Sequence, residues 1–128
     1  MTPVPAPADI ICLLDDDPCV VKALGRLLAS EGLHAEKFCE PARFLDYARG
    51  HPVRLAVIDI RMPGMTGLEV LAELRTISPA TRVLIMTGEN DPAHRTAALA
   101  GGARAVFLKP FDDAAFLRAV SEAMVPAA

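Results

Sequence analysis

The stretch LAVIDIRMPGMTGLE at residues 55–69 joins a buried-strand pattern to a polar residue and a loop. Its first part, Leu55–Ile58, is a continuous apolar run that stops at Asp59. A run of this length between polar residues is typical of a parallel strand that is covered on both faces. The Pro and Gly residues that follow indicate a loop, and leucines at helical spacing then predict a helix. The stretch therefore predicts one strand–loop–helix unit.

The same unit recurs along the chain, and three further apolar runs each end at a residue with a carboxylate, hydroxyl or ammonium group. The other runs are Ile10–Leu14 before Asp15 and Asp16, Val83–Met86 before Thr87, and Ala105–Leu108 before Lys109. In an open parallel sheet, ligands bind outside the carboxyl ends of the strands. The sequence therefore places three carboxylates, a hydroxyl and an ammonium in one crevice. That set of groups suits a divalent cation and a phosphoryl group.

Alternation of strand and helix continues from end to end of the chain. A shorter and more polar run, Leu33–Phe38, predicts a second strand at a sheet edge. Asp17 followed by Pro18 is a helix-start signal, and Gly32 predicts the end of that helix. Asp112 is expected to cap the last helix. Strand–helix units repeated five times without a linker predict an α/β domain with a parallel sheet and helices on both faces.

The composition limits the classes of function. The chain has 128 residues, 52% of them hydrophobic, which is enough for one domain with a sizeable core. A net charge of −3 provides no general attraction to nucleic acid or to anionic membranes. No apolar stretch approaches the roughly 20 residues that a membrane span needs. The three cysteines have no C-x-x-C spacing and are expected to be reduced thiols in the cytoplasm.

Four fragments of the chain, in this order, resemble the receiver domain of two-component response regulators. They are LLDDDP at residues 13–18, VIDIRMPGMTGLE at 57–69, IMTG at 85–88 and FLKPF at 107–111. The resemblance covers about residues 9–125 and implies a flavodoxin-like (βα)5 three-layer sandwich with a five-stranded parallel sheet of order 2-1-3-4-5. Residues 1–8 are then expected to be a flexible amino-terminal tail, and residues 126–128 a short carboxyl-terminal tail.

The resemblance assigns the acidic residues to a Mg²⁺ site. It implies that Asp16 and Asp59 are direct ligands and that Asp15 acts largely through water. The backbone carbonyl of Arg61 is implied as a further ligand. Neighbouring carboxylates repel one another, so without a cation at least one pKa is expected to rise, and Mg²⁺ removes that cost. Asp17 is expected to cap the first helix and not to bind the metal.

The resemblance also assigns the groups that handle a phosphoryl group. Asp59 is implied as the phosphoacceptor, since a carboxylate is a competent nucleophile when a metal and a lysine offset the charge. Lys109 is implied to pair with phosphoryl oxygens, and its bond to Pro110 is usually cis in this family. Thr87 is implied to hydrogen-bond the phosphoryl group and to draw the following loop inward.

The chain departs from the family pattern at Val106, where an aromatic residue is usual. Phe107 is expected to point to the opposite face of its strand and so cannot replace that aromatic. We expect a muted switch, or one carried mostly by the loop after Thr87. Arg61 and Glu89 flank the predicted site, and their opposite charges could pair across its mouth and hinder an attacking water.

The predicted function is that of a signalling module. A sensor histidine kinase or a histidine phosphotransfer protein would donate the phosphoryl group, and a partner-binding surface would respond to the added charge. Output would pass to a downstream effector protein or to a fused output domain, without direct binding of nucleic acid or membrane. Pairing of two copies through the fourth helix, fifth strand and fifth helix is a further option.

Two other functions stay open at this stage. The departure at Val106 allows a receiver that binds its partners without phosphorylation. An aspartyl-phosphate phosphatase would also use a strand-end Asp with Mg²⁺, but its usual second carboxylate falls at the position of Arg61. A guanidinium cannot act as the general acid–base that such an enzyme needs. We therefore predict a regulatory domain rather than an enzyme.

Overall fold

Five parallel strands form the centre of the computed structural model, which describes residues 10–125. They are β1 (Ile11–Leu14), β2 (Ala35–Phe38), β3 (Leu55–Asp59), β4 (Arg82–Thr87) and β5 (Ala105–Leu108). Their order in the sheet is β2-β1-β3-β4-β5, and every neighbouring pair is parallel. This confirms the predicted α/β, flavodoxin-like fold and its strand order. The predicted tails, residues 1–8 and 126–128, lie outside the described residues.

Five helices link the strands and cover both faces of the sheet. They are α1 (Pro18–Ser30), α2 (Pro41–Gly50), α3 (Gly67–Ile77), α4 (Pro92–Ala100) and α5 (Asp113–Met124). Helices α2, α3 and α4 pack on the face that holds Leu14 and Ile58, whereas α1 and α5 pack on the face that holds Leu13 and Val57. Neighbouring residues of a strand point to opposite faces, so each inner strand contributes to both halves of the core. Within residues 10–125, every helix is too short or too polar to cross a bilayer.

The signals at both ends of α1 act as predicted. The Asp17 carboxylate accepts a hydrogen bond from the Cys19 amide at 2.9 Å, which satisfies one free donor of the first turn. At the other end, Gly32 adopts a left-handed conformation with φ of +76°. The Leu33 amide then donates to the Leu28 carbonyl at 3.0 Å and closes the helix.

Two of the element boundaries that differ from the sequence prediction have an identifiable local cause. Strand β2 begins at Ala35, because Leu33 still belongs to the turn that closes α1. Helix α3 begins at Gly67, which the sequence placed in the loop. The cause is Thr66, whose hydroxyl accepts the Glu69 amide at 3.2 Å and caps the helix one residue earlier than expected. Strand β2 is an edge strand, as its polar sequence predicted.

Gly67 is the point where the loop after β3 comes closest to the sheet. Its amide donates to the Ile60 carbonyl at 2.8 Å. A Cβ atom at this position would lie 2.2 Å from the backbone oxygen of Asp59, far inside van der Waals contact. Only glycine fits at such an approach, and it holds the loop against the backbone of Asp59.

Replacing Gly67 with Ala should lower the free energy of unfolding by about 1–3 kcal/mol, because the backbone must move to admit the methyl group. Gly50→Ala is the matched control, since Gly50 ends α2 and a Cβ atom there would meet no atom within 4 Å. That control should keep or raise stability, by up to about 1 kcal/mol. Urea unfolding followed by circular dichroism measures both variants. Equal stability of Gly67→Ala and the unaltered protein would contradict the close approach.

Candidate functional site

The carboxyl ends of four strands bring the predicted site residues to one edge of the sheet. Asp59 and Thr87 are the last residues of β3 and β4. Asp15 directly follows β1, and Lys109 directly follows β5. Asp15 and Lys109 are 94 positions apart in the chain, yet their side chains are in direct contact. The structure therefore brings these predicted site residues together at one edge of the sheet.

The ammonium of Lys109 lies between two buried carboxylates. Its Nζ donates to Asp15 Oδ2 at 2.7 Å and contacts Asp59 Oδ1 at 3.0 Å. Asp15 and Asp59 are only 1% and 5% exposed. Buried charges need partners of this kind, because losing one leaves the other unpaired in a medium of low dielectric constant. Lys109 thereby ties the ends of β1, β3 and β5 together.

Burial and charge shift the pKa of both Asp59 and Lys109. Burial disfavours the Asp59 carboxylate and raises its pKa, although the hydrogen bond from Lys109 acts in the opposite direction. The negative charges of Asp15 and Asp16 raise the Asp59 pKa further. Burial alone would lower the pKa of Lys109, but its hydrogen bonds to Asp15 and Asp59 outweigh burial and raise it. The raised pKa of Lys109 favours its charged form. The raised pKa of Asp59 shows that its bond to Lys109 only partly offsets the cost of burying its negative charge.

The acidic residues form a cluster that could hold a divalent cation. Asp15, Asp16 and Asp59 each offer a carboxylate oxygen, and these oxygens all lie within 4.8 Å of one another. Three carboxylates against one ammonium leave an excess of negative charge at this edge. An all-oxygen donor set with excess negative charge fits Mg²⁺. Arg61 lies in the loop that follows Asp59, and the role of its carbonyl as a ligand stays a prediction.

The hydroxyl of Thr87 is bound by its own loop. Thr87 is 5% exposed, and its Oγ1 accepts the Glu89 amide at 3.1 Å. The same hydroxyl donates to the Glu89 carbonyl at 3.3 Å. Thr87 is therefore placed at the crevice by β4, but its hydrogen bonds serve the β4–α4 connection.

A salt bridge crosses the mouth of the crevice between two loops. Arg61 Nη2 lies 2.7 Å from Glu89 Oε1. The two side chains are 71% and 40% exposed, so the contribution of this pair to stability is roughly 0–1 kcal/mol. The pairing that the opposite charges suggested is confirmed, whereas its effect on an attacking water stays a prediction.

Three phenylalanines support the loop that carries Lys109, a feature that sequence reasoning missed. Phe111 stacks on the buried Phe116 with ring centroids 5.2 Å apart, and Phe107 approaches Phe111 at 5.5 Å. The Lys109–Pro110 bond between them is cis, as the resemblance implied. The available signal was the placement of three aromatic residues around one lysine, in a chain with only 5% aromatic residues.

The strand before Lys109 presents its two central side chains as predicted. Val106 packs against the face covered by α2, α3 and α4, and Phe107 packs against the face covered by α1 and α5. No aromatic ring from β5 therefore faces α4. The departure from the family pattern at this position is real in the structure as well as in the sequence.

Comparison with known proteins identifies the family of this chain. Residues 11–121 match the family model described as the response regulator receiver domain. The transcriptional regulatory protein FixJ of Azorhizobium caulinodans is 40% identical over 108 residues, which cover 84% of this chain and 51% of FixJ. The response regulator protein TodT of Pseudomonas putida is 32% identical over 117 residues, which cover 91% of this chain and 52% of TodT. The chain thus spans about half the length of these relatives.

A solved structure gives the same result for the fold. The CheY-like response regulator receiver domain protein of Methanospirillum hungatei superposes with a TM-score of 0.86 at 25% identity. The match covers 91% of this chain and 93% of that protein.

Replacing Asp59 with Asn should raise the free energy of unfolding at pH 7 when no divalent cation is present, because the native state disfavours the Asp59 carboxylate. A pKa raised on folding favours the native state only while the group is protonated, and this contribution is lost as pH rises through the native pKa. The advantage of the variant should therefore disappear below the ordinary aspartate pKa of 3.8, where Asp59 is neutral in both states. Chemical unfolding across pH measures it, with Asp46→Asn, an exposed carboxylate, as the control. Lower stability of Asp59→Asn at pH 7 would contradict this assignment.

Proposed function

The chain belongs to the response regulator receiver domain family, and we propose on that basis that it accepts a phosphoryl group on Asp59 with Mg²⁺ bound beside it. One observation carries the proposal: the Lys109 ammonium bridges Asp15 and Asp59 within the carboxylate cluster. A buried nucleophile next to a fixed positive charge and a cation site is what transfer of an anionic phosphoryl group requires.

In the proposed reaction, an oxygen of Asp59 attacks the phosphorus of a phosphohistidine. The bond from phosphorus to the donor nitrogen breaks as the bond to the Asp59 oxygen forms, and the donor imidazole keeps the electron pair. Lys109 is already in contact with Asp59 and would bind a phosphoryl oxygen, offsetting the charge that gathers there. Asp16 and Asp59 would hold Mg²⁺ with Asp15 acting largely through water, and the bound ion would supply further positive charge.

We propose that Thr87 is the residue that responds to the phosphoryl group, by donating a hydrogen bond to it. To donate to a phosphoryl oxygen, its hydroxyl must give up the one bond that it donates, to the Glu89 carbonyl, while its oxygen can still accept from the Glu89 amide. That exchange would remove one of the two hydrogen bonds between Thr87 and the β4–α4 connection. Helix α4 is loosely seated, since Ala98 is its only buried residue. A switch through this loop and α4 therefore does not need an aromatic side chain at Val106.

We propose that the phosphoryl donor is a sensor histidine kinase or a histidine phosphotransfer protein. Output would go to an effector protein or to a fused output domain, because the chain spans about half of relatives named as regulators.

We further propose that the chain binds neither nucleic acid nor membrane directly, and that α4, β5 and α5 supply a surface for a homodimer. Leu99 and Leu108, 43% and 44% exposed, lie on that surface. The described cysteines are all free thiols, which suits a reducing cytoplasm.

A receiver that binds partners without phosphorylation is the second candidate, and Val106 is the observation in its favour. A phosphatase acting on a separate substrate is not supported, because Arg61 occupies the position of the second carboxylate and is paired with Glu89. We therefore propose a regulatory domain that takes part only in its own phosphorylation and dephosphorylation.

Intact-mass measurement after incubation with acetyl phosphate tests the proposed function. The protein should gain one phosphoryl group with Mg²⁺, and the gain should be lost when EDTA replaces the metal. Asp59→Asn is the matched control and should gain none. Absence of a gain with both acetyl phosphate and a phosphorylated histidine phosphotransfer protein would contradict the proposal and favour the phosphorylation-independent candidate.

Arg61→Ala and Glu89→Ala should each shorten the lifetime of the acyl phosphate, because each variant removes the salt bridge across the site mouth. An exposed pair of this strength corresponds to a change of up to about 5-fold in rate. Loss of the phosphoryl group over time by intact mass gives the lifetimes. Arg49→Ala is the control, since it removes a comparable exposed pair with Asp46 on α2. Unchanged lifetimes in both site variants would exclude a shielding role.

A further inference from the structure

Two arginines of the sheet bind the carboxyl-terminal end of α5. Arg82, the first residue of β4, donates through one guanidinium nitrogen to the carbonyls of Ala123 and Val125. Arg54, directly before β3, donates to the carbonyl of Met124 at 3.2 Å. Three consecutive carbonyls at the end of one helix are therefore bound by positively charged groups from the neighbouring strands.

The end of α5 needs partners from outside the helix. The last four carbonyls of any helix have no donor within it, and they carry the negative end of the helix dipole. Residues 121–124, Ser-Glu-Ala-Met, provide no cation, and Glu122 adds a further negative charge. At Val125 the backbone turns to φ −67° and ψ 129°, so the helix does not continue. The two guanidiniums supply what this terminus lacks.

Both arginines are held side by side by the backbone of the sheet. The Arg82 amide donates to the Arg54 carbonyl at 2.9 Å, and the Arg54 amide donates to the Ile10 carbonyl at 3.0 Å. They therefore lie at the amino-terminal edge of the central strands. This edge is opposite the one that carries Asp59, and a strand of the length of β3 separates the two by roughly 16 Å.

We propose that Arg54 and Arg82 form an anchor that holds the last turn of α5 on the sheet and fixes the position of the chain at Val125. Hydrogen bonds from a charged donor are stronger than those between neutral groups. The bonds to the Met124 and Ala123 carbonyls are partly buried, and the bond to the Val125 carbonyl is exposed. The Val125 side chain is 60% exposed, so packing does little to hold this residue. A segment joined beyond Val125 would start from a fixed point at the sheet edge opposite Asp59.

The anchor predicts that opening of the last α5 turn is local and controlled by the two arginines. Hydrogen exchange of the unphosphorylated protein, followed by mass spectrometry of its peptides, measures this without reliance on the proposed function. Arg82→Met should speed exchange of amides 122–125 at least 10-fold, since it removes the bonds to the Ala123 and Val125 carbonyls while retaining an unbranched apolar stem. Arg54→Met should also speed exchange there, because it removes the bond to the Met124 carbonyl.

Arg118→Met is the matched control, because Arg118 is an exposed arginine on α5 that makes none of these contacts. It should leave exchange at 122–125 unchanged, and peptides of β3 and β4 should keep their protection in all variants. Unchanged exchange at 122–125 in both Arg82→Met and Arg54→Met would overturn the anchor. An equal loss of protection in β3 and β4 would also overturn it, since the arginines would then stabilise the whole domain.

Discussion

The contact of the Lys109 ammonium with the buried carboxylates of Asp15 and Asp59 is the constraint on which the rest of the site depends. Taking these charges out of water is costly, and the cost is bearable only because they lie within hydrogen-bonding distance of one another. Three strand ends must therefore stay in register. The same burial raises the pKa of Asp59, and the neighbouring carboxylates of Asp15 and Asp16 raise it further. A divalent cation bound by this cluster would offset the excess of negative charge.

The segments around that contact differ in how firmly they are held. Gly67 presses the loop after β3 against the backbone of Asp59, and stacked phenylalanines hold the loop that carries Lys109. In contrast, Thr87 is bound to its own loop, and α4 beyond it buries one residue. At the far edge of the sheet, arginines hold the end of α5. Movement that begins at the site is therefore expected in the β4–α4 loop and α4, with α5 as a fixed neighbour.

Much of this was predictable from the sequence, because strands covered on both faces and the residues that end them leave strong one-dimensional signals. The apolar run before Asp59, the Asp17 cap and the Gly32 turn predicted the fold. The residues that end the strands predicted which edge of the sheet carries the functional site. The sequence did not predict that Lys109 would bond Asp15 as closely as Asp59, since that contact depends on how two distant strand ends are aligned. The arginine contacts with α5 escaped prediction for the same reason, because an arginine beside a strand gives no sign of which carbonyl it will meet.

The central claim is that Asp59, and none of its acidic neighbours, is the residue that takes the phosphoryl group. Borohydride reduction converts a phosphorylated aspartate into homoserine, and peptide mass spectrometry then locates the change. After incubation with acetyl phosphate and Mg²⁺, we expect homoserine at position 59 alone. Homoserine at position 15 or 16, or at no position in protein that has gained a phosphoryl group, would contradict it.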